Sequence, residues 1–456
     1  MTSNEENAQP VPDSSAATAL TTAEMASLLN LRSRVHRRVI DSLEDSTVRP
    51  AQRSDHDFLV LTTQAMISII IKEVEGPPLT SRLRARLLQE VLNEVVALGP
   101  LQPLLDDPSV SEIIVNHPRE VIVERKGKFE RVHDIAFDDN AHILRIMQQI
   151  LAPLGRRLDE SSPLVDARLP DGSRLNVVIP PVALASPLVT IRKRPPQILQ
   201  LQDLVANESL TEEMADFLRA CVQGKLNILI SGGPACGKTT LLRALAHFIP
   251  PEDRIITIED SAELGLQHEN LAAMESRPPS AEDRGEVTIG DLVRNALRMH
   301  PIRIIVGEVR SIEALDMLQA MNTGTSGSLA TIHSNSPRDT IHRLETLCMM
   351  SSFELPQASV ARQIASAINL IVHQDRFPDG SRKVTHITEV YPDEQDHPIL
   401  QDIFTCEARV ASGGEVVAHH RTTDLVPRCV DRLARAGQAV THLFQSSSTM
   451  NDEPSA

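Results

Sequence analysis

Tryptophan is absent from this chain of 456 residues, and its remaining aromatic rings belong to one tyrosine, Tyr391, and nine phenylalanines. A protein that grips single-stranded nucleic acid by stacking needs a row of exposed aromatic faces. Too few rings are present to build one. Cysteine is also scarce: five residues, at 221, 236, 348, 406 and 429, with no C-x-x-C pair and an odd total. That pattern excludes a zinc knuckle and a secreted disulfide framework, and it fits a reducing cytosol. Long apolar runs are missing too. The longest candidate, Met66 to Ile71, is stopped by Lys72, well short of the ~18 residues a membrane span requires. The chain begins Met1-Thr2-Ser3-Asn4-Glu5-Glu6, acidic where a signal peptide is basic. Positive charge is in deficit, with 45 basic against 61 acidic side chains and a net charge of −16. No overall field therefore draws the protein to nucleic acid or anionic lipid, and any such contact must be a local patch.

What is present is ordinary globular material: 41% apolar and 23% charged residues. The chain is about three times the ~150-residue prior for one domain, so two or three compact units are expected. Residues 1–22 and 445–456 are polar and aperiodic and read as frayed tails. Between Leu28 and Ile40 a helical stretch carries Arg32, Arg34, Arg37 and Arg38, either a docking site for acidic lipid or protein or a solvated helix face. Leu88, Val91, Leu92, Val95 and Val96 recur at helical spacing before Gly99-Pro100, which predicts a bundle helix and its stop. Val121 to Val123 and Phe129 to Val132 flank Lys126-Gly127 as a hairpin, and His142 to Leu151 is helical again. The expected division is a disordered to helical tail over 1–55, a mixed α+β domain over 56–193, a Pro195-Pro196 linker over 194–208, an α/β domain with a C-terminal β/α extension over 209–444, and a tail over 445–456. The pentapeptide Pro-Asp-Gly-Ser-Arg occurs twice, at 170–174 and 378–382, each time before an apolar run. It reads as recurring hairpin chemistry, Asp-Gly suiting the positive φ angles of a tight turn, and not as domain duplication.

From Leu210 onward helices alternate with short apolar runs, the signature of a parallel sheet covered on both faces. In such a sheet the active site gathers at the carboxyl ends of the strands. Gly232-Gly233-Pro234-Ala235-Cys236-Gly237-Lys238-Thr239-Thr240 follows the apolar Ile228-Leu229-Ile230 and opens a helix, matching G-x-x-x-x-G-K-[ST] in its required strand–loop–helix setting. Backbone N–H groups of such a loop converge on an anion, and the helix N-terminus adds partial positive charge. Lys238 would reach the outer phosphates and the Thr239 hydroxyl would ligate Mg²⁺. Two apolar runs end in acid, Arg254 to Ile258 in Glu259-Asp260 and Ile304 to Gly307 in Glu308. A carboxylate there can hold the metal or orient the attacking water. The small-residue stretch Thr323 to Ser328 ends in Leu329-Ala330-Thr331-Ile332-His333; its glycines would let it approach the nucleotide, and His333 could donate to a terminal phosphate. Cys236, beside Lys238 at a helix N-terminus, is either a thiol of lowered pKa and hence a redox switch, or a small substitute for serine.

The order of the phosphate loop, Thr257-Ile258-Glu259-Asp260-x-Ala262-Glu263-Leu264, Ile304-Ile305-Val306-Gly307-Glu308-Val309-Arg310 and Ala330-Thr331-Ile332-His333 resembles the secretion ATPases of type II and type IV systems. Within them it is most similar to the CpaF family of Tad/Flp pilus-assembly motors. Gly285 to Ile289, Asp291 to Met299, Glu313 to Gly324, Asp159 to Pro163 and Asp166 to Arg174 carry that finer resemblance. The resemblance implies a RecA-like P-loop domain preceded by a smaller N-terminal α+β domain, a homo-oligomer in the form of a hexameric ring, Mg²⁺ and ATP as cofactors, and platform proteins at the cytoplasmic face of an inner membrane as partners, with membrane association through them and no specific nucleic acid. It also implies roles: Glu259 as base for water, Glu308 in the Walker B position, also toward the metal, His333 in the His box, and Arg168, Arg174 and Arg192 as arginines supplied from the N-terminal domain. The chain departs from the family pattern at Pro234, Ala235 and Cys236, where Thr, Gly and Ser are usual, at Thr325, where a first His-box histidine is expected, and at Ile302, where Asp is usual. These departures point toward slower hydrolysis, but Gly237, Lys238, Thr239, Glu259 and Glu308 are retained, so nucleotide binding and ATP turnover by a secretion or pilus-assembly motor remain the expectation; a hydrolysis-poor regulatory ring subunit is the competing reading. A nucleic-acid motor on the same core is disfavoured by the acidic balance.

Overall fold

The computed structural model describes residues 31–444 apart from 33, 40, 42–55, 74–79, 126, 195–198, 278–284, 351–354, 411–415 and 424. The tails expected at 1–22 and 445–456 lie outside the described residues, as do parts of the 1–55 segment and of the linker. The chain divides into two compact units, one ending at Arg194 and the other beginning at Pro195.

In the first unit, helices α1 (His56–Glu73) and α2 (Ser81–Val96) pair through Ile67, Ile70, Leu87 and Val91, with Leu31, Val35 and Val39 in the same buried cluster. Arg32 is not on a solvated face. It is buried and ion-paired with Asp138, while Arg34, Arg37 and Arg38 are exposed. A short helix α3 (Gln102–Asp106) leads into strands β1 (Val110–His117), β2 (Glu120–Arg125) and β3 (Lys128–Val132). Helix α4 (Asn140–Leu151) is N-capped by Asp139, whose carboxylate accepts from His142 N at 2.8 Å. Strands β4 (Leu164–Arg168), β5 (Arg174–Val178) and β6 (Leu188–Arg192) complete an antiparallel sheet ordered β3-β2-β1-β6-β5-β4. One sheet face carries Ile113, Val165, Val177 and Ile191, packed with Ile143, Ile146 and Met147 of α4. This is the mixed α+β unit that the sequence predicts.

The second unit opens with α5 (Leu201–Ala206), which falls inside the span expected as a linker. Its Leu201 and Leu204 are buried in the core, so that part of the span is a packed helix of the second unit. Then follow α6 (Glu212–Gln223), β7 (Ile228–Gly232), α7 (Lys238–Ala246), β8 (Ile255–Glu259), β9 (Leu271–Glu275), α8 (Ile289–Ala296), β10 (Arg303–Val309), α9 (Glu313–Asn322), β11 (Leu329–His333), α10 (Pro337–Met349), α11 (Gln357–Ala367) and β12 (Leu370–Arg376). Strands β13 (Arg382–Pro392), β14 (Pro398–Val410) and β15 (Val416–Thr422) and helix α12 (Cys429–Arg435) finish the unit. The sheet runs β15-β14-β13-β12-β7-β11-β10-β8-β9, parallel from β12 to β9 and antiparallel from β12 to β15. Alternation sends Ile228 and Ile230 to a cluster with Phe217, Leu218 and Leu241, and Leu229 to a second cluster with Leu318, Val360 and Ile364. Burial on both faces explains why β7 reads as an unbroken apolar run.

Both Pro-Asp-Gly-Ser-Arg segments form hairpin turns, between β4 and β5 and between β12 and β13. In each, glycine N donates to the residue three before it at 2.9 Å and the residue before proline donates to the serine carbonyl at 2.8 Å. Gly172 and Gly380 both have φ +88, whereas neither aspartate has positive φ. The hairpin turn expected is present, as a three-residue loop closed by a left-handed glycine, with positive φ at the glycine alone and not at the aspartate. Each aspartate instead accepts from its serine N, at 2.9 Å in Ser173 and 2.8 Å in Ser381.

Candidate nucleotide site

The central strand β7 ends at Gly232 and α7 begins at Lys238, so the intervening loop lies at the carboxyl edge of the parallel sheet. Gly232 is required by proximity: a Cβ there would stand 2.1 Å from Gln374 O of β12 and 2.6 Å from Cys236 Sγ. Gly237 has φ +103, and Ala235 has φ +53. Alanine thus takes the left-handed conformation natural to glycine, at a cost of roughly 1 kcal/mol. The Lys238 side chain is folded over its own loop. Its Nζ donates to Gly232 O at 3.0 Å and Gly233 O at 2.8 Å and approaches His333 Nδ1 at 3.1 Å. Thr239 and Thr240 occupy the first turn of α7, where unpaired N–H groups and the helix dipole favour an anion.

Strand β11 lies between β7 and β10 and places His333 opposite Gly232. His333 Nε2 stands 2.5 Å from Glu308 Oε1. With Nδ1 accepting from Lys238, the neutral ring carries its proton on Nε2; that nitrogen lies close to Glu308 Oε1 without a hydrogen bond, and Glu308 Oε1 is a buried oxygen with no hydrogen-bond partner. Burial holds the imidazole below its ordinary pKa, the Lys238 charge adds to this, and the Glu308 charge opposes it. Glu308 Oε2 accepts from Arg310 Nε at 2.8 Å and Nη2 at 2.5 Å, and Arg310 Nη1 donates to Asp260 at 3.1 Å. One strand further, Glu259 ends β8 and is 4% exposed. Its Oε1 accepts from Glu263 N at 2.9 Å and Leu264 N at 2.8 Å. Burial raises the Glu259 carboxyl above its ordinary value, partly offset by those two donors. Gly307 leaves the necessary room, since a Cβ there would meet Glu259 Cγ at 3.0 Å.

The phosphate loop, Lys238, Glu259, Glu308 and His333 therefore share one edge of one sheet. Arg168, Arg174 and Arg192 belong to the first unit. Arg174 is the register partner of both Arg168 and Arg192, and Glu112 of β1 stands opposite Arg192. Cross-strand partners share a sheet face, so three arginines and one glutamate form a row on the face opposite the core. One expectation is corrected, that of the small-residue stretch, and of the two readings of Cys236 the small substitute for serine stands. The stretch Thr323 to Ser328 precedes β11 and meets the start of β7, with Ile228 N donating to Ser328 O at 3.1 Å. It lies at the other end of the strands from the phosphate loop, about 15 Å away at the rise of a strand. Thr325 is buried and donates to Ala320 O at 2.6 Å, closing the end of α9. Cys236 is 1% exposed and burial pushes its thiol up, so the low-pKa redox reading fails.

Other residues at this edge escape sequence reading. Arg310 ties Glu308 to Asp260, and Glu313 holds it in place by accepting from Arg310 N at 2.6 Å and Ser311 N at 2.8 Å. Beneath the loop, Ser231 Oγ and His373 Nδ1 are 2.8 Å apart, and His373 Nε2 is 3.5 Å from Asp375. This resembles a nucleophilic triad, but Ser231 is fully buried and no substrate reaches it. Arg382 Nε donates to Ala235 O at 2.9 Å. The repeated pentapeptide was the one signal in the sequence that pointed near Arg382. Among the described residues no group of three or more His, Cys, Asp or Glu could hold a metal, and no helix is long and apolar enough to cross a membrane.

Residues 94–414 match the family model described as type II/IV secretion system protein. The conjugal transfer protein TrbB of Rhizobium radiobacter is 33% identical over 308 residues, 66% of this chain and 90% of that protein. The type IV secretion system protein VirB11 of Brucella suis is 33% identical over 325 residues, covering 65% of this chain and 89% of that one. Among solved structures, the VirB11 ATPase from the Brucella suis type IV secretion system, in complex with sulphate, aligns with 64% of this chain and 92% of its own at 30% identity and a TM-score of 0.35.

Proposed function

This chain belongs to the type II/IV secretion system protein family, and on that premise we propose that it is a motor ATPase whose nucleotide cycle powers assembly of a Tad/Flp-type pilus or secretion of a substrate. The observation that carries this reading is the continuous contact chain from Lys238 through His333 to Glu308 at the mouth of a phosphate loop. In it, ATP is received by the loop N–H groups and the first turn of α7, and Lys238 turns from its two carbonyls to the outer phosphates. His333, adjoining both Lys238 and Glu308, registers the terminal phosphate through the proton on Nε2. Glu259 accepts the proton of the attacking water; its raised pKa makes it a better base than an exposed carboxylate.

The Thr239 hydroxyl and the Glu308 carboxylate suit Mg²⁺, which takes one or two protein oxygens and completes its shell with phosphates and water. When bound, it would neutralise charge on the phosphates. The row Arg168, Arg174 and Arg192 offers guanidinium charge for a transition state formed where two subunits meet. The motor would then act as a ring, proposed to be a hexamer, on platform proteins at the cytoplasmic face of the inner membrane. Steady-state hydrolysis of Mg-ATP tests the reading: turnover by the wild type, lost in Lys238→Ala and about a hundredfold lower in Glu259→Gln, supports it. Binding without turnover above those variants would favour the second reading, a regulatory ring subunit, to which the strained Ala235 lends weight.

A further inference from the structure

The hairpin joining β12 to β13 touches the phosphate loop and takes no part in the catalytic reading. Strand β12 lies beside β7, with His373 opposite Ser231 and Gln374 opposite Gly232. Gln374 is 2% exposed, and its side-chain amide lies under Gly237, 3.2 Å from where a Cβ would be. The turn after β12 is the second copy of the repeated pentapeptide, and it delivers Arg382 at the first position of β13. The Arg382 stem passes over Gly237, its Cδ 3.2 Å from a Cβ placed there, and its Nε donates to Ala235 O at 2.9 Å. The turn itself is pinned: Asp379 accepts from Ser381 N at 2.8 Å and from Val416 N of β15 at 3.0 Å. A pinned turn aims one arginine at the carbonyl of the one non-glycine residue of the loop with positive φ.

We propose that Arg382 is a positioning residue for the nucleotide, holding the phosphate loop in its anion-receiving shape by clamping the carbonyl of Ala235. The physical need is specific to this chain. Glycine visits positive φ as readily as negative φ, so a loop with glycine at that position keeps its curvature unaided. Alanine prefers negative φ, and unclamped it would swing its peptide and the neighbouring N–H groups away from the phosphates. A charge-assisted hydrogen bond from a guanidinium is of the right size to offset that preference. The first copy of the pentapeptide presents Arg174 from an equivalent turn, so the same local device serves both units as an arginine mount.

This inference rests on nucleotide binding at the loop, and the experiment separates the two. Binding of the fluorescent analogue N-methylanthraniloyl-ATP with Mg²⁺ is titrated on the full chain for wild type, Lys238→Ala, Arg382→Ala, Arg382→Lys, Ala235→Gly and the double variant Ala235→Gly/Arg382→Ala. Unfolding midpoints are recorded for each. Arg382→Ala is expected to weaken binding by about fivefold to tenfold, as loss of one charge-assisted bond allows, with an unchanged midpoint. Arg382→Lys recovers part of the loss, because an ammonium can still reach the carbonyl. In the Ala235→Gly background the penalty of Arg382→Ala falls to about twofold or less, since glycine needs no clamp. Two results overturn the proposal while leaving nucleotide binding intact: wild-type affinity in Arg382→Ala, or the same penalty with and without Ala235→Gly, which would mean a direct phosphate contact. If Arg382→Ala unfolds, the Arg382→Lys penalty in the two backgrounds decides by the same criterion. Failure of the wild type to bind any better than Lys238→Ala overturns the nucleotide reading and this proposal with it.

Discussion

At the scale of single residues, the site is a short path of charges whose protonation states are set by burial. His333 is held below its ordinary pKa, so it is neutral near neutral pH. A histidine with a depressed folded pKa contributes stability that is full above its unfolded value and is lost as pH falls through the folded one. Acidification from neutral pH to below 6.5 should therefore loosen the Lys238–His333–Glu308 path, and His333→Gln should flatten that part of the stability profile in thermal melts. Glu259 has the opposite sign. Its carboxyl is raised above 4.5, so its ionised form costs the fold, and the associated stability is present at low pH and lost as pH rises through the folded pKa. If Glu259 is the base, kcat falls as pH drops through a value above 4.5, and Glu259→Gln loses about a hundredfold in kcat with nucleotide affinity retained. A kcat profile that keeps its acid limb in Glu259→Gln would remove it from that role.

At the scale of elements, the strand–loop–helix unit of β7 and α7 was legible because its signals are local. An apolar run, glycines and a lysine at the helix start all fall within a dozen residues, and each is dictated by backbone geometry. Its supports were not legible. Ser231 meets His373 at a separation of 142 residues, and Ala235 meets Arg382 at 147; both depend on β12 choosing β7 as its neighbour. Gly232→Ala tests that packing, because the added Cβ at 2.1 Å from Gln374 O must push β12 aside. Both the unfolding midpoint and nucleotide affinity should drop, unlike Arg382→Ala. Arg303 is a second case. The sequence drew notice to Ile302, yet it is Arg303 that is fully buried, donating to Asp253 at 2.8 Å and to Val222 O at 2.7 Å, while Lys225 holds the other Asp253 oxygen at 2.9 Å. Arg303→Leu breaks a buried pair and should cost about 3 kcal/mol, or roughly 6 to 12 °C in the midpoint of a unit this size.

For the whole molecule, the proposed motor depends on charge supplied from the first unit. The register that lines up Arg168, Arg174 and Arg192 puts them on the sheet face away from the core, with Arg192 exposed and Arg168 and Arg174 half-buried. Arg174→Ala is expected to leave analogue binding within about twofold while lowering kcat by tenfold or more, as loss of a transition-state contact should. Turnover per chain should also rise with protein concentration and plateau as the oligomer fills, followed by light scattering in the same buffer. Turnover independent of concentration, with scattering that reports single chains throughout, would place the whole active site within one subunit.

By itself the amino-acid sequence determined the alternation of strands and helices, the phosphate loop, the acidic strand ends and the hairpin turns, because each follows from periodicity or from backbone limits within a few residues. Tertiary structure decided the rest. It sent Thr323 to Ser328 to the far end of the sheet, buried Cys236 and Arg32, and brought Arg382 onto the loop. The physical reason is that strand order is chosen by packing of the two covered faces, a sum over many weak and distant contacts that no local pattern records.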